Sequence, residues 1–203
     1  MSAQRKIEVW SEEDYWAMDE ASPIKLEFIG GQIVPRNGET TAMAGSTPGH
    51  ARICANIIGA LHARLRGRAC YVTSSDQMVR DDAGDENFYP DVTVVCPPEA
   101  FSGSKQLALL NPAALFEVLS TSTAEKDLTT KSDAYFRLTS VDYYLIVSQE
   151  QVRVEVRARG ENGWEIKVFN RLEDEITLPQ LEITLPVAEI YQGLNLPSLS
   201  LIR

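Results

Sequence analysis

The sequence is poor in the residues that build metal centres and covalent scaffolds, with only 3 cysteines and no more than 2 histidines in 203 positions. Cys54, Cys70 and Cys96 are widely spaced and contain no C-x-x-C, so neither a disulfide framework nor a thiolate zinc site is expected, and they read as small buried hydrophobes. His50 and His62 are too far apart for a zincin motif, which excludes most multi-histidine sites. Any metal would have to be held by carboxylates, and that selects a hard ion such as Mg²⁺ or Mn²⁺. No apolar run approaches the roughly 18 residues of a spanning helix, and the first ten residues hold no signal-type apolar core. No membrane partner and a cytoplasmic location are therefore expected. There is no G-x-G-x-x-G and no P-loop signature, which disfavours nucleotide-binding folds. Basic residues are also in deficit, 19 against 29 acids, and the net charge of -10 opposes indiscriminate adhesion to polyanions.

What is present, 44% hydrophobic and 24% charged residues with 12 glycines and 10 prolines, fits a single globular domain over 1–203. Its core is expected over about 11–170, with 171–203 as a C-terminal edge segment. Ser11-Glu-Glu-Asp14 opens a short helix as a capping box. Two strand-like runs flank Gly30-Gly31, a pair that suits a two-residue hairpin because both positions tolerate positive φ. Ile53, Ile57, Leu61 and Leu65 recur every fourth residue and predict an amphipathic helix from Pro48 to Leu65, ending at Gly67. Tyr71 to Val79, Phe88 to Val95 and Ala113 to Leu119 read as strands, with Asp81 to Glu86 as a solvated turn. A helix from Ser122 to about Leu138 follows, then strands at Tyr143–Val147, Val152–Val156 and Trp164–Phe169, and one helical turn near Val187–Tyr191. The expected class is α/β, a mixed sheet flanked by helices, with an N-terminal helix and hairpin.

Buried strands normally exclude carboxylates, so acids that interrupt apolar strands are informative. Asp91 heads one apolar run and Glu117 closes the next. If the two strands are neighbours, these carboxylates meet at one end of the sheet and offer oxygen ligands for a divalent cation, with the Val118 carbonyl as a third. On the following helix Asp127 and Lys131 stand at i and i+4 inside the apolar stripe. Spacing alone leaves open whether they form an inward structural pair or bring Lys131 to the acids. His50, at the start of its helix, and Glu27, on the first hairpin, are supporting candidates.

Pro90-Asp91, then Glu117-Val118-Leu119-Ser120 with Ser122-Thr123, then Asp127, Lys131 and Tyr135 at successive fours, resemble the Uma-two family of the PD-(D/E)XK nuclease superfamily. The resemblance runs from about Ser11 to Val147. It implies a restriction endonuclease-like core in which Asp91 and Glu117 bind Mg²⁺. The superfamily's lysine lies two residues after the second acid, where this chain has Leu119, and the resemblance implies that Lys131 reaches the same point from the helix.

Together these readings predict a metal-dependent endonuclease that hydrolyses phosphodiester bonds of DNA with Mg²⁺ or Mn²⁺, using Asp91, Glu117 and Lys131, tuned by Asp127 and Tyr135 and supported by His50 and Glu27. The stretch from His50 to Cys70 contains Arg52, Arg64, Arg66 and Arg68 and no acid, which makes it a candidate phosphate-contacting surface, although arginines at a helix end also complement the macrodipole. The competing reading is a catalytically silent scaffold of the same fold that binds nucleic acid or a protein partner. A homodimer is the expected assembly.

Overall fold

The computed structural model describes residues 9–36, 47–102, 107–119 and 124–197, without the side chains of 124–130. Helix α1 (Glu12–Ala21) is followed by β1 (Leu26–Ile29), β2 (Gln32–Pro35), α2 (Pro48–Leu65), β3 (Tyr71–Ser74), β4 (Met78–Asp81), β5 (Glu86–Phe88) and β6 (Val92–Val95). Then come β7 (Phe101–Ser102), β8 (Ala108–Leu109), β9 (Pro112–Leu119), α3 (Ala124–Arg137), β10 (Tyr143–Ser148), β11 (Val154–Gly160) and β12 (Gly163–Phe169). A small C-terminal unit consists of β13 (Glu175–Leu178), β14 (Ile183–Pro186) and α4 (Val187–Ile190).

Local chemistry accounts for the first elements. The Ser11 side chain accepts from the Asp14 amide while the Asp14 carboxylate accepts from the Ser11 amide, a reciprocal cap on α1. Gly30 and Gly31 take φ of 56° and 73°, and the β1–β2 hairpin closes through them. Thr47 caps α2, and the four-residue period buries Ile53, Ile57, Leu61 and Leu65. Each such side chain is worth about 1.5–3 kcal/mol when removed from water.

The principal sheet has the order β12-β11-β10-β9-β6-β3, and only its β9–β10 pair is parallel. One face, with Val92, Val94, Phe116, Leu145 and Val154, packs against α2 and the C-terminal unit. The opposite face, with Leu115, Tyr144 and Ile146, packs against Ala134, Tyr135 and Leu138 of α3. A second sheet, β2-β1-β5-β4-β8-β7, leans on that side through Val79, Phe88 and Leu109. Tyr15 of α1 is fully buried against Leu26 and Phe28 of this sheet.

Several expectations change. Tyr71–Val79 is two strands, not one, and so is Phe88–Val95, because each run crosses from one sheet to the other: β3 and β6 pair in the first, β4 and β5 in the second. The second crossing is Tyr89-Pro90-Asp91, where Pro90 has no amide proton to continue a ladder. The C-terminal segment does not extend a sheet edge. Its strands pair with each other, and Ile176, Leu178, Leu185 and Ile190 enter the core beside α2. Asp81 to Glu86 is not a merely solvated turn: Asp81 and Glu86 are buried and both pair with Arg137 of α3, while Asp82 and Asp85 pair with Arg80. Cys70 and Cys96 form a disulfide between neighbouring strands, so they are not unpaired hydrophobes, and Cys54 is a free thiol. Among the described residues no helix is long and apolar enough to cross a membrane.

Candidate active site

The break between β5 and β6 is the centre of the site. Val92 pairs with Phe116, and one step further along the antiparallel register Asp91 stands beside Glu117. The Val118 amide donates to Asp91 Oδ2 at 2.7 Å. Because the amide and carbonyl of a strand residue point to the same side, the Val118 carbonyl is directed toward the same edge. Asp91, Glu117 and Lys131 are all buried, and so is Glu27.

Lys131 lies one turn before Tyr135 on α3, so both side chains fall on the face packed against the sheet. The Lys131 ammonium reaches Glu27 Oε1 at 3.0 Å and Glu117 Oε1 at 3.4 Å. The Tyr135 hydroxyl donates to Glu117 Oε1 at 2.8 Å. Glu27 comes from β1 and also accepts from the Tyr89 amide at 3.0 Å, which ties the first hairpin to the strand break. Leu119, two residues beyond Glu117, is partly buried among the apolar residues beneath α3.

At Asp91 two further groups converge. His50, in the first turn of α2, approaches Asp91 Oδ2 through Nε2 at 3.2 Å, and its Nδ1 faces the Cys54 sulfur at 3.6 Å. Arg36, immediately after β2, binds Asp91 Oδ1 through Nη2 and the Tyr89 carbonyl through Nε at 2.7 Å. Sequence reasoning missed Arg36. A single arginine after a hairpin carries no periodicity or motif, and its role becomes visible only when the hairpin lies across the strand break.

Electrostatics follow from three buried carboxylates facing two permanent cations. Burial drives Glu117 upward, and the nearby Asp91 and Glu27 charges add to it, so that despite Lys131 its carboxyl is pushed up to about 7. Burial acts the same way on Asp91, but the His50 hydrogen bond, the Arg36 charge and the Val118 amide outweigh it and hold that carboxyl below the ordinary aspartate value. Burial opposes the Lys131 ammonium, yet Glu117 and Glu27 keep its pKa above that of an ordinary lysine. Of the three carboxylates, Glu117 is the one whose proton affinity burial raises most clearly.

The donors suit a hard cation. Asp91 and Glu117 present oxygen from adjacent strands, with the Val118 carbonyl at the same edge, as Mg²⁺ or Mn²⁺ requires. Arg36 would have to yield its contact with Asp91. His50, Cys54 and Asp91 also offer ligand atoms within 4.8 Å of one another. This second cluster suits one ion less well, because Asp91 and Cys54 approach different nitrogens of the same imidazole. Burial, with Asp91 adding to it, also raises the Cys54 thiol and opposes the thiolate a soft metal needs.

Asp127 has its backbone in α3, but its side chain lies outside the described residues, as does the segment containing Ser122 and Thr123. The arginines of the His50–Cys70 stretch lie elsewhere. Arg64 makes a bidentate pair with Glu189 and donates to the Thr184 carbonyl, and Arg68 donates to the carbonyls of Leu181 and Glu182. These two hold the C-terminal unit against α2. Arg64 is roughly 20 Å along the helix from His50, at 1.5 Å per residue. Arg52 and Arg66 are exposed.

A sheet with one parallel pair, helices on its faces and acids where its strands break defines a restriction endonuclease-like fold. A solved structure from Anabaena variabilis ATCC 29413, described as "a putative nuclease belonging to DUF820", superposes with a TM-score of 0.70 at 14% identity, covering 89% of this chain and 96% of that one. The Uma2 family model, described as "Putative restriction endonuclease", matches residues 12–188, and the chain belongs to this family. Two Synechocystis sp. (PCC 6803) proteins are similar to it. Uncharacterized protein sll1609 is 31% identical over 152 residues, 74% of this chain and 82% of that protein. Uncharacterized protein slr1290 is 26% identical over 184 residues, 91% of this chain and 92% of that protein.

Proposed function

We propose that the chain is a metal-dependent endonuclease that hydrolyses phosphodiester bonds of DNA, working in the cytoplasm with Mg²⁺ or Mn²⁺. The observation that supports this most is the convergence of Asp91, Glu117 and Lys131 at one strand break although they come from three different elements. Asp91, Glu117 and the Val118 carbonyl would hold the cation. When bound, it would supply Lewis-acid polarisation of a phosphoryl oxygen and a more acidic water.

The remaining chemistry belongs to the chain itself. Lys131 is positively charged and fixed between two carboxylates, and in this reading it would orient the attacking water or stabilise charge on the phosphoryl oxygens. Tyr135 fixes the orientation of Glu117, and His50 with the Val118 amide fixes Asp91. Glu27 holds Lys131 at the strand break, so it acts by positioning rather than by touching substrate.

The test is incubation of the purified chain with plasmid and single-stranded DNA in Mg²⁺, in Mn²⁺ and in chelator. Metal-dependent cleavage that disappears in Asp91→Asn, Glu117→Gln and Lys131→Met is expected. Cleavage surviving all three substitutions would refute the assignment. One observation favours the silent scaffold instead, namely that Arg36 already neutralises Asp91. Metal-independent DNA binding without cleavage would establish that reading.

A further inference from the structure

Among the described residues the outermost strand of the principal sheet, β12, pairs only with β11, in an unbroken register from Val154↔Phe169 to Gly160↔Gly163. Its outer edge therefore presents backbone donors and acceptors along seven residues. Edge strands are normally blunted by proline, a bulge, brevity or charged side chains, lysine above all. Between Gly163 and Phe169 there is no proline and no bulge, and the charges there, Glu165 and Lys167, are of opposite sign, so they repel neither each other nor a second copy in the matching register. The strand is also apolar where it meets water: Ile166 is 60% exposed and Val168 is 49% exposed. Trp164, on the same face, is held between Phe136, with ring centroids 4.4 Å apart, and the Arg159 guanidinium at 4.5 Å. Glu165 and Lys167 occupy the opposite face, both exposed.

We propose that β12 is the interface of a homodimer, in which it pairs antiparallel with β12 of a second copy about a two-fold axis through Ile166. The sequence of the strand selects both partner and register. With Ile166 opposite itself, Glu165 of each copy faces Lys167 of the other, and Trp164 faces Val168. Sliding the register by two residues sets Glu165 against Glu165 or Lys167 against Lys167. Sliding it by one sets charged positions against apolar ones. Only the Ile166-centred register satisfies both faces at once, and cross-strand pairs of this kind are what stabilise and align sheet edges. The contact is isologous, so it closes at two copies and joins the two principal sheets into one. It requires neither metal nor substrate and stands apart from the nuclease reading.

The test uses the full chain in sedimentation velocity and light scattering, with circular dichroism as the check on folding. The wild type should have the mass of a dimer at micromolar concentration. E165K places two positive charges opposite two positive charges, and K167E does the same with negative charge. Each should raise the dimer dissociation constant roughly tenfold to a hundredfold, since two favourable pairs become repulsive. The double variant E165K/K167E should regain the wild-type dimer, and an equimolar mixture of the two single variants should form the heterodimer. A monomer at every concentration would leave β12 to a terminal segment of its own chain or to another protein, and it would overturn the proposal. A dimer indifferent to both single substitutions, or not restored by the double one, would overturn it equally.

Discussion

Lys131→Met separates a structural lysine from a catalytic one. In the folded chain the ammonium lies 3.0 Å from Glu27 and 3.4 Å from Glu117, and all three groups are buried. Methionine fills a similar volume, so the packing loss is small and the electrostatic loss dominates. Removing one partner of a buried ion pair costs about 3–5 kcal/mol because the other charge stays uncompensated. Here two carboxylates are left, but they respond differently. Glu117 is already pushed up to about 7 and can take a proton, whereas Glu27 keeps its hydrogen bond from the Tyr89 amide and stays buried.

The cost should therefore be largest at pH 8 and shrink on acidification as Glu117 becomes neutral. At pH 8 urea unfolding should show a loss of about 3–5 kcal/mol, and for a domain of this size each kcal/mol lowers Tm by about 2–4 °C. Adding Glu27→Gln removes the stranded carboxylate and should return part of the stability, which makes the coupling measurable in a double-mutant cycle. Lys131→Met as stable as the wild type at pH 8, or a double variant no more stable than Lys131→Met, would refute the geometry. The result also decides how lost cleavage in Lys131→Met is to be read, since a catalytic effect must persist well below the variant's own Tm.

Glu117 has a folded pKa of about 7 against an ordinary 4.5, so its contribution to stability is complete below pH 4.5 and is lost as pH rises through 7. Metal-free wild type should lose on the order of 3 kcal/mol along that limb, at 1.36 kcal/mol per pKa unit, and Glu117→Gln should not; parallel stability curves for the two proteins would contradict this. Asp91 has the opposite sign: its lowered pKa contributes stability that is present above pH 3.8 and lost on acidification, so Asp91→Asn should flatten the acid limb in chelator. Arg36→Gln removes the cation that occupies Asp91 and should tighten Mn²⁺ binding, read by electron paramagnetic resonance, about tenfold or more, which corresponds to 1.4 kcal/mol. Unchanged or weaker binding would mean that Arg36 does not compete with the ion.

What was legible in the sequence was local. The Gly30-Gly31 hairpin, the Ser11 cap and the four-residue stripe of α2 are written in neighbouring residues, and the structure reproduces them. Asp91, Glu117 and Lys131 stood out because each breaks an apolar pattern, and the structure brings them together at one strand break. The rest depended on partners distant in the chain. Phe88 to Val95 reads as one strand because its apolar run is nearly continuous; only Pro90 hints at the crossing between sheets. Asp81 to Glu86 looked like a water-facing turn because the Arg137 that neutralises Asp81 and Glu86 lies on α3. The acceptors of Arg64 and Arg68 belong to the C-terminal unit, so those contacts could not be read from the helix segment that carries the arginines. Cys70 and Cys96 meet because Tyr71 pairs with Val95, and the register of two strands is not encoded in cysteine spacing. The common cause is charge. An apolar residue declares its environment by periodicity, whereas an arginine or a carboxylate declares only that it needs a partner or water. Arg36 is the clearest case: nothing near it in the chain distinguishes a solvated arginine from one holding the same carboxylate that a metal would need.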